Sequence, residues 1–413
     1  MISTLKIERL GHEGDGIGFN EAGNQVFVPY ALPGETVRVY EHQNRGELIE
    51  IVEKSPDRVD PKCQHFTDCG GCNMQHLSEP AYLSWKTSLI VDALSKQGID
   101  DVDMLPIVSV LPGSRRRAAF SFKAAKDGVH LGFHGKKSSQ IITPKECPVL
   151  DPVLEKHLVS KRGFSALARQ VVRAKKEERM TATLGINGVS IDMTGRDPGK
   201  NRNQVEEFWN ATSPFWKVML NDELVSHDPG DDLVKSGDFN LATVPGAFLQ
   251  AVSSAEAALV EHSISFLKGS KNCADLFSGI GTFSFPMARF AKVTAIESQQ
   301  AALNALKQTA SRTQKIKAIA TIRRDLFKHP LSELELRKFD AILFDPPRAG
   351  ARAQCEQIAK SKIRKVAAVS CNPISFARDA KTLIDGGFKL ISLLPVDQFL
   401  WSNHVEMSAH FER

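Results

Sequence analysis

The chain has 413 residues, 42% hydrophobic and 24% charged, a composition suited to a folded globular protein of two or three domains. No apolar run approaches the ~20 residues needed to cross a bilayer, and the polar start MISTLKIERLGHEGDGIG does not read as a signal peptide, so a cytoplasmic protein is expected. A formal charge of +5 permits a polyanionic partner without demanding one, so the placement of the basic residues matters more than their sum.

Residues 1–54 carry short strand-like runs, QVFVPY, ETVRVYEH and GELIEIVEK, separated by the turn-rich GHEGDGIGFNEAGN and ALPGE. About five short strands in that length suggest a small β-barrel of the oligonucleotide-binding kind, and a ligand-free β-meander fits the composition as well. PDRVDPKCQHFTDCGGCNMQHLS then reads as loop. A helix is expected through EPAYLSWKTSLIVDALSKQG, with Glu79 and Pro80 suited to its first turn.

Residues 55–235 are read as a central domain of mixed strands and helices. Within it, the stretch from Gly113 to Lys137 holds seven Lys or Arg against one Asp. A second basic patch, KRGFSALARQVVRAKKEER, has helical character. Each is either a solvated face or, with Phe120, Phe122 and Phe133 interleaved, a nucleic-acid contact. After GDFNLATVPGAFLQ a helix is expected from about residue 253 to 267. Strand and helix patterns then alternate to the C-terminus through NCADLF, KVTAIE, KAIATIRRD, FDAILFD, KVAAVSC, KLISLLPVD and HVEMSAHFE. That rhythm predicts a doubly wound α/β domain over 236–413, and so a multidomain α/β chain.

The strand ends of this last domain carry the chemistry. CADLFSGIGTFSFPMA joins an Asp at a strand end to a Gly-x-Gly turn at Gly279 and Gly281, where a ligand can approach the backbone. Alone it is a weak signal, since it is not the full dinucleotide fingerprint. Glu297 closes the next strand, where an acidic side chain grips ribose hydroxyls. Asp325 and then Asp345-Pro346-Pro347-Arg348 close the following two. Any one of these acids could merely cap a helix. Together the four strand ends resemble the class I S-adenosylmethionine methyltransferase fold.

Cys371, in KVAAVSCNP, adds a nucleophile at the mouth of a further strand, beside Asp345 on its neighbour. Asp-Pro-Pro-aromatic motifs accompany methylation of an amino nitrogen, which carries its own lone pair; here Arg348 replaces the aromatic. Carbon 5 of a pyrimidine has no such lone pair. A thiolate added at carbon 6 makes carbon 5 nucleophilic, and a base must later remove the carbon 5 proton. Glu406, at the start of the final strand, can be that base. RNA cytosine chemistry commonly uses a second cysteine, which the Asp-Pro-Pro-Arg motif lacks, so uracil is favoured.

DLFSGIGTFSFPMA, FDAILFDPPRAG, VAAVSCNPISFARD and DQFLWSNHVEMSAHFER resemble the RNA uridine-5 methyltransferase family. The N-terminal barrel resembles its TRAM domain, and SRRRAAFSFK and ITPKECPVL its central domain. The resemblance implies Cys371 as nucleophile and Glu406 as base, with Gln250, Phe277, Thr282, Glu297, Asp325 and Asp345 lining the pockets for S-adenosylmethionine and uracil. It implies an RNA partner, 23S ribosomal RNA first and transfer RNA second, and a monomer. Two departures stand out: Thr282 replaces an Asn common in ribosomal members, and LWSNHVE replaces the usual Pro-His-Thr before His-Val-Glu. An RNA-binding or ribosome-assembly factor without activity is the alternative from another class. His404 either orients the base or packs.

Seven cysteines, three of them within ten residues, do not form a secreted disulfide framework. Cys63, Cys69, Cys72 and Cys147 form a set of four soft ligands, and their spacing suits zinc or an iron–sulfur cluster equally. The family resemblance implies a [4Fe-4S] cluster, held by four cysteines in a structural role. Cys273 and Cys355 are expected to pack in the interior.

Overall fold

The computed structural model describes residues 1–413 except 127, 159–167, 202, 204, 205, 208, 210–214 and 226–229. Part of the second basic patch therefore lies outside the described residues.

At the N-terminus, β1 (Ile2–Leu10), β2 (Gly16–Phe19), β3 (Gln25–Val28), β4 (Thr36–His42) and β5 (Arg45–Glu53) close a barrel in the order β1-β2-β3-β5-β4. Alternation drives this closure: Leu5, Ile7, Val26, Val28, Val37 and Val39 fill the interior. Gly16 and Gly18 are required by close approach, because a Cβ at either would lie 2.6 Å from the carbonyl oxygen of Ala31 or Lys6.

After the cysteine-bearing loop come α1 (Glu79–Ser95) and β6 (Val108–Ser109), which join the C-terminal half of the fold. A seven-stranded sheet follows, made of β7 (Arg117–Ala125), β8 (Gly128–His134), β9 (Ile141–Ile142), β10 (Glu177–Leu184), β11 (Val189–Met193), β12 (Lys217–Leu220) and β13 (Glu223–Leu224), ordered β13-β12-β11-β10-β7-β8-β9. α2 (Pro152–Leu158) packs Leu154 and Leu158 into its core. The basic segment RAAFSFKAA turns Ala118, Phe120 and Phe122 into that same core, so these two aromatics are packing residues rather than a surface for bases. Phe133 is half-buried and faces the clefts described below.

The hairpin β14 (Leu233–Ser236) and β15 (Phe239–Ala242) leads to α3 (Ser253–Leu267). Strands and helices then alternate: β16 (Asn272–Leu276), α4 (Ser284–Ala288), β17 (Lys292–Glu297), α5 (Gln300–Arg312), β18 (Ile319–Arg323), α6 (Glu333–Leu336), β19 (Ala341–Phe344), α7 (Arg352–Lys360), β20 (Lys365–Ser370), α8 (Pro373–Asp385), β21 (Lys389–Asp397) and β22 (Glu406–Glu412). They build an eight-stranded sheet ordered β18-β17-β16-β19-β20-β22-β21-β6. β22 runs antiparallel between β20 and β21, whereas β16 to β20 are parallel to one another. Central strands buried on both faces need the near-continuous apolar runs that the sequence carries. The chain steps from β16 to β17 on one side and returns to β19 on the other. That reversal opens a crevice at the carboxyl ends of β16 and β19.

α1 covers this sheet although it precedes it by nearly two hundred residues: Ile90, Ala93 and Leu94 pack with Ile342, Leu393 and Met407.

Candidate active site

The turn after β16 is built for close approach. Phe277 has φ +62°, a left-handed backbone that a bulky side chain rarely adopts, and Gly279 and Gly281 follow at +54° and +99°. A Cβ at Gly281 would lie 2.8 Å from the Phe285 ring. The Gly279 N–H donates to Glu297 Oε2 at 3.1 Å, and Glu297 Oε1 accepts from the N–H groups of Ser298 and Gln299 at 2.7 and 2.8 Å. The Glu297 carboxylate is thereby fixed beside the glycine turn. Beyond β18, Asp325 Oδ1 accepts from the Phe327 N–H at 3.0 Å, and the Phe277 and Phe327 rings stand 5.3 Å apart.

One cleft gathers these strand ends, with about 1870 Å³ of atom-free space counted to its open mouth. Phe277, Glu297, Asp325, Asp345, Cys371 and Glu406 all border it. Gln250 and Thr282 are not among its lining residues. Gln250 is buried behind the wall, donating to Asp345 Oδ2 at 3.1 Å and accepting from Gln398 Nε2 at 2.8 Å. Its reach is therefore toward a carboxylate and not into open space. Thr282 sits half-buried where the turn enters α4.

Three acidic groups crowd together here. Burial, followed by the nearby Glu406 and Asp345 carboxylates, pushes the Cys371 thiol up to about 12, while the Arg348 guanidinium favours the thiolate. Glu406 is fully enclosed at the start of β22. Burial and then Asp345 raise it to about 8, against the hydrogen bond from Gln398 and the charges of Lys86 and Arg348. Burial raises Asp345 to about 7, with the Gln250 hydrogen bond opposing. Just after Cys371, Asn372 caps α8 through Oδ1, which accepts from the Ile374 N–H at 3.0 Å; its Nδ2 donates to the Arg348 carbonyl at 3.1 Å. This bond ties the Cys371 turn to the Asp-Pro-Pro-Arg turn.

Arg348 is the cation that the sequence motif conceals, because nothing in the linear order puts it near Cys371. Its Nη2 also donates to His404 Nδ1 at 2.6 Å. Burial and the charges of Arg348, Lys86 and Arg115 hold His404 down to about 4, so its ring is neutral and can accept. His404 is thus a polar support within the cleft wall. Phe248, Phe327 and Phe399 also line the cleft, and sequence reasoning missed them. Phe327 alone carried a signal, two residues after a strand-end Asp.

A second cavity, with about 490 Å³ of atom-free space, is bordered by Cys63, Cys69, Cys72 and Cys147. Burial raises all four thiols, Cys72 to about 11 and Cys147 to about 12. Gln75 accepts from the Cys63 N–H at 3.0 Å and Glu155 from the Cys147 N–H at 2.7 Å. Among the described residues no three His, Cys, Asp or Glu side chains converge on a single-ion site. Gly71, Arg115 and Phe133 border both cavities and separate these four thiols from the larger cleft. Cys273 and Cys355 are fully buried in apolar clusters.

Comparison with known proteins places this architecture. The TRAM domain model matches residues 2–40, and that of the tRNA (uracil-5-)-methyltransferases matches 216–413. An uncharacterised RNA methyltransferase of Caulobacter vibrioides is 40% identical over 420 residues, covering all of both chains. The 23S rRNA (uracil(1939)-C(5))-methyltransferase RlmD of Aliivibrio fischeri is 32% identical, covering 99% of this chain and 96% of its own. Among solved structures, the tRNA (uracil-54, C5)-methyltransferase of Pyrococcus abyssi, in complex with S-adenosyl-L-homocysteine, has the same fold: the TM-score is 0.73 at 22% identity, over 98% of this chain and 99% of that one. Together these matches show that the chain belongs to the S-adenosylmethionine-dependent RNA uracil-5 methyltransferase family, with an N-terminal TRAM domain.

Proposed function

We propose that this enzyme methylates carbon 5 of a uridine in 23S ribosomal RNA through a covalent adduct on Cys371. The observation that carries the reading is the meeting of Cys371, Glu406 and Asp345 on one buried cleft wall, although they come from three different strand ends. The methyl donor fits the crevice beside the Gly279 turn: Glu297 would take its ribose hydroxyls, and Phe277, Asp325 and Phe327 its base. When bound it supplies an electrophilic sulfonium methyl group.

Cys371 Sγ, as the thiolate, forms a bond to uracil C6, and the C5=C6 π electrons move out as an enolate; C5 then bonds to the methyl as the methyl–sulfonium bond breaks and leaves a neutral thioether. Glu406 then takes the C5 proton. The C–H electrons rebuild the C5=C6 bond, the C6–S bond breaks, and the thiolate returns. A carboxylate raised to about 8 is a stronger base than an exposed one, which suits the second step. Asp345, held from behind by the Gln250 amide, would take the uracil edge and the donor side of the cleft.

Cys63, Cys69, Cys72 and Cys147 fit a [4Fe-4S] cluster in that they border a cavity of their own instead of pairing as disulfides. The cluster would cross-link the loop 63–72 to the segment around Cys147, with every iron corner taken by a thiolate. Absorbance near ~400 nm in anaerobically purified protein tests it, since metal analysis showing stoichiometric zinc would refute it. Ribosomal RNA is preferred over transfer RNA because the relative named for a 23S uracil is 32% identical along nearly the whole chain. Among the described residues no helix is long and apolar enough to cross a membrane, in keeping with action on cytoplasmic RNA.

The deciding experiment maps 5-methyluridine in ribosomal and transfer RNA from a deletion strain, beside turnover by Cys371→Ala. Loss of one 23S site and an inactive variant that still binds donor are expected. Full activity in Cys371→Ala would falsify the mechanism.

A further inference from the structure

Lys86 lies in α1, 311 residues before its partner Asp397 at the end of β21, yet neither exposes any side-chain surface. Its ammonium donates to Asp397 Oδ1, to the Phe399 carbonyl at 3.0 Å and to the His404 carbonyl at 2.6 Å. Those two carbonyls bracket the loop between β21 and β22, and Glu406 begins two residues after His404. One turn earlier on the same helix face, Tyr82 Oη accepts from the Trp401 N–H at 2.7 Å, within that loop. Trp401 has φ +57°, a backbone state that an aromatic residue holds only when its surroundings impose it. The Trp401 carbonyl accepts from the Asn73 and Met74 N–H groups at 2.8 and 3.0 Å, so the loop is gripped on its other side as well.

A buried ion pair is weak grounds for stability, because well-packed apolar residues in its place are often as good or better. What apolar residues cannot do is bind two main-chain carbonyls at set positions. We infer that Lys86 is a positioning residue for the C5-proton abstraction, fixing through the His404 carbonyl, with Tyr82 at Trp401, the loop that aims Glu406. The inference rests on the reading of Glu406 as the base. It adds a residue from the other end of the chain to that step.

The test separates the two covalent stages. Addition of Cys371 and methyl transfer are read from the rate of adduct formation with 5-fluorouridine RNA, in which fluorine blocks proton removal. Release is read from single-turnover decay of the denaturation-resistant adduct with ordinary RNA. In Lys86→Met, release is expected to slow at least about tenfold, within the 10²–10⁴ that a general base contributes, while fluoro-adduct formation stays within about threefold of wild type. Tyr82→Phe, which removes one oxygen, is expected to give the same split, with release slowed about tenfold and fluoro-adduct formation within about threefold, and it decides the matter should Lys86→Met not fold. Release at the wild-type rate in the variants, or an equal loss at both stages, would overturn the positioning role. Glu406→Gln is the reference: it should trap the adduct outright. If it releases RNA normally, the reading of Glu406 fails, and the role of Lys86 goes with it.

Discussion

Cys371 reports the electrostatics of the site more directly than any other group. Its thiol rises from the ordinary 9.0 to about 12, and each pH unit is a factor of ten in thiolate. At neutral pH the free enzyme should therefore hold roughly a thousandth of the thiolate of an ordinary cysteine. The causes rank as burial, then Glu406, then Asp345, with Arg348 opposing. Two substitutions should move the thiol in opposite directions. Glu406→Gln removes a repelling carboxylate and lowers its pKa; Arg348→Met removes the helping cation and raises it. The effect of Glu406 appears above pH 8, where that carboxylate is ionised. The assay is iodoacetamide labelling of the Cys371 peptide, quantified by mass spectrometry between about pH 6 and 11. A midpoint at or below 9, or faster labelling of Arg348→Met than of wild type, would refute the ranking. On the reading of Cys371 as the nucleophile, a thiol held this high has to ionise as the substrate enters.

On the reading of Glu406 as the base, single-turnover release should rise with pH through a midpoint of about 8, and Asp345→Asn should shift that midpoint downward; a release rate flat from pH 6 to 9 would count against it. Arg116 pairs with Glu256 at 2.7 Å and donates to the Gln250 and Lys235 carbonyls, so Arg116→Met should cost about 3–5 kcal/mol in urea unfolding, with much of it regained in Arg116→Met/Glu256→Leu. Equal stability of the single and double variants would refute that account. His262 stacks on His410 at 3.8 Å and is held down to about 4 by burial and that neighbour. Unfolded, it takes a proton near its ordinary 6.5, so stability is full above that pH and is lost as pH falls toward 4. His262→Phe keeps a ring and removes the titration, and it should flatten the fall in Tm over that window; an unchanged slope would dismiss the stack as its source.

The sheet was legible because buried parallel strands must be apolar throughout, and their ends must return the chain to polar solvent at the ligand face. That is why Phe277, Glu297, Asp325, Asp345, Cys371 and Glu406, each at a strand terminus, could be picked from the linear order and are found on one cleft. The barrel was legible for a related reason, its period-two alternation and its glycines. Gln250 and Thr282 belong to connections, where no period fixes the side-chain direction, and the structure turns the first toward Asp345 and leaves the second outside the lining. Phe120 and Phe122 show the converse case: basic neighbours allowed a nucleic-acid face, but strand alternation sends Arg117 and Lys123 to one side and the two phenylalanines to the other, where they are core.

Hardest to read was the part α1 plays. Its hydrophobic face announces a buried helix but not which sheet it covers, since Ile90 and Leu94 share a core cluster with Leu393 and Met407, some three hundred residues further along the chain. Lys86 in the middle of that face looks like a flaw in the pattern. It is tolerated because Asp397 at the end of β21 and two carbonyls of the loop before Glu406 satisfy its three donors. A charge that breaks the pattern of a buried helix face therefore points to a partner far along the chain, and here that partner lies at the start of the loop that leads into Glu406.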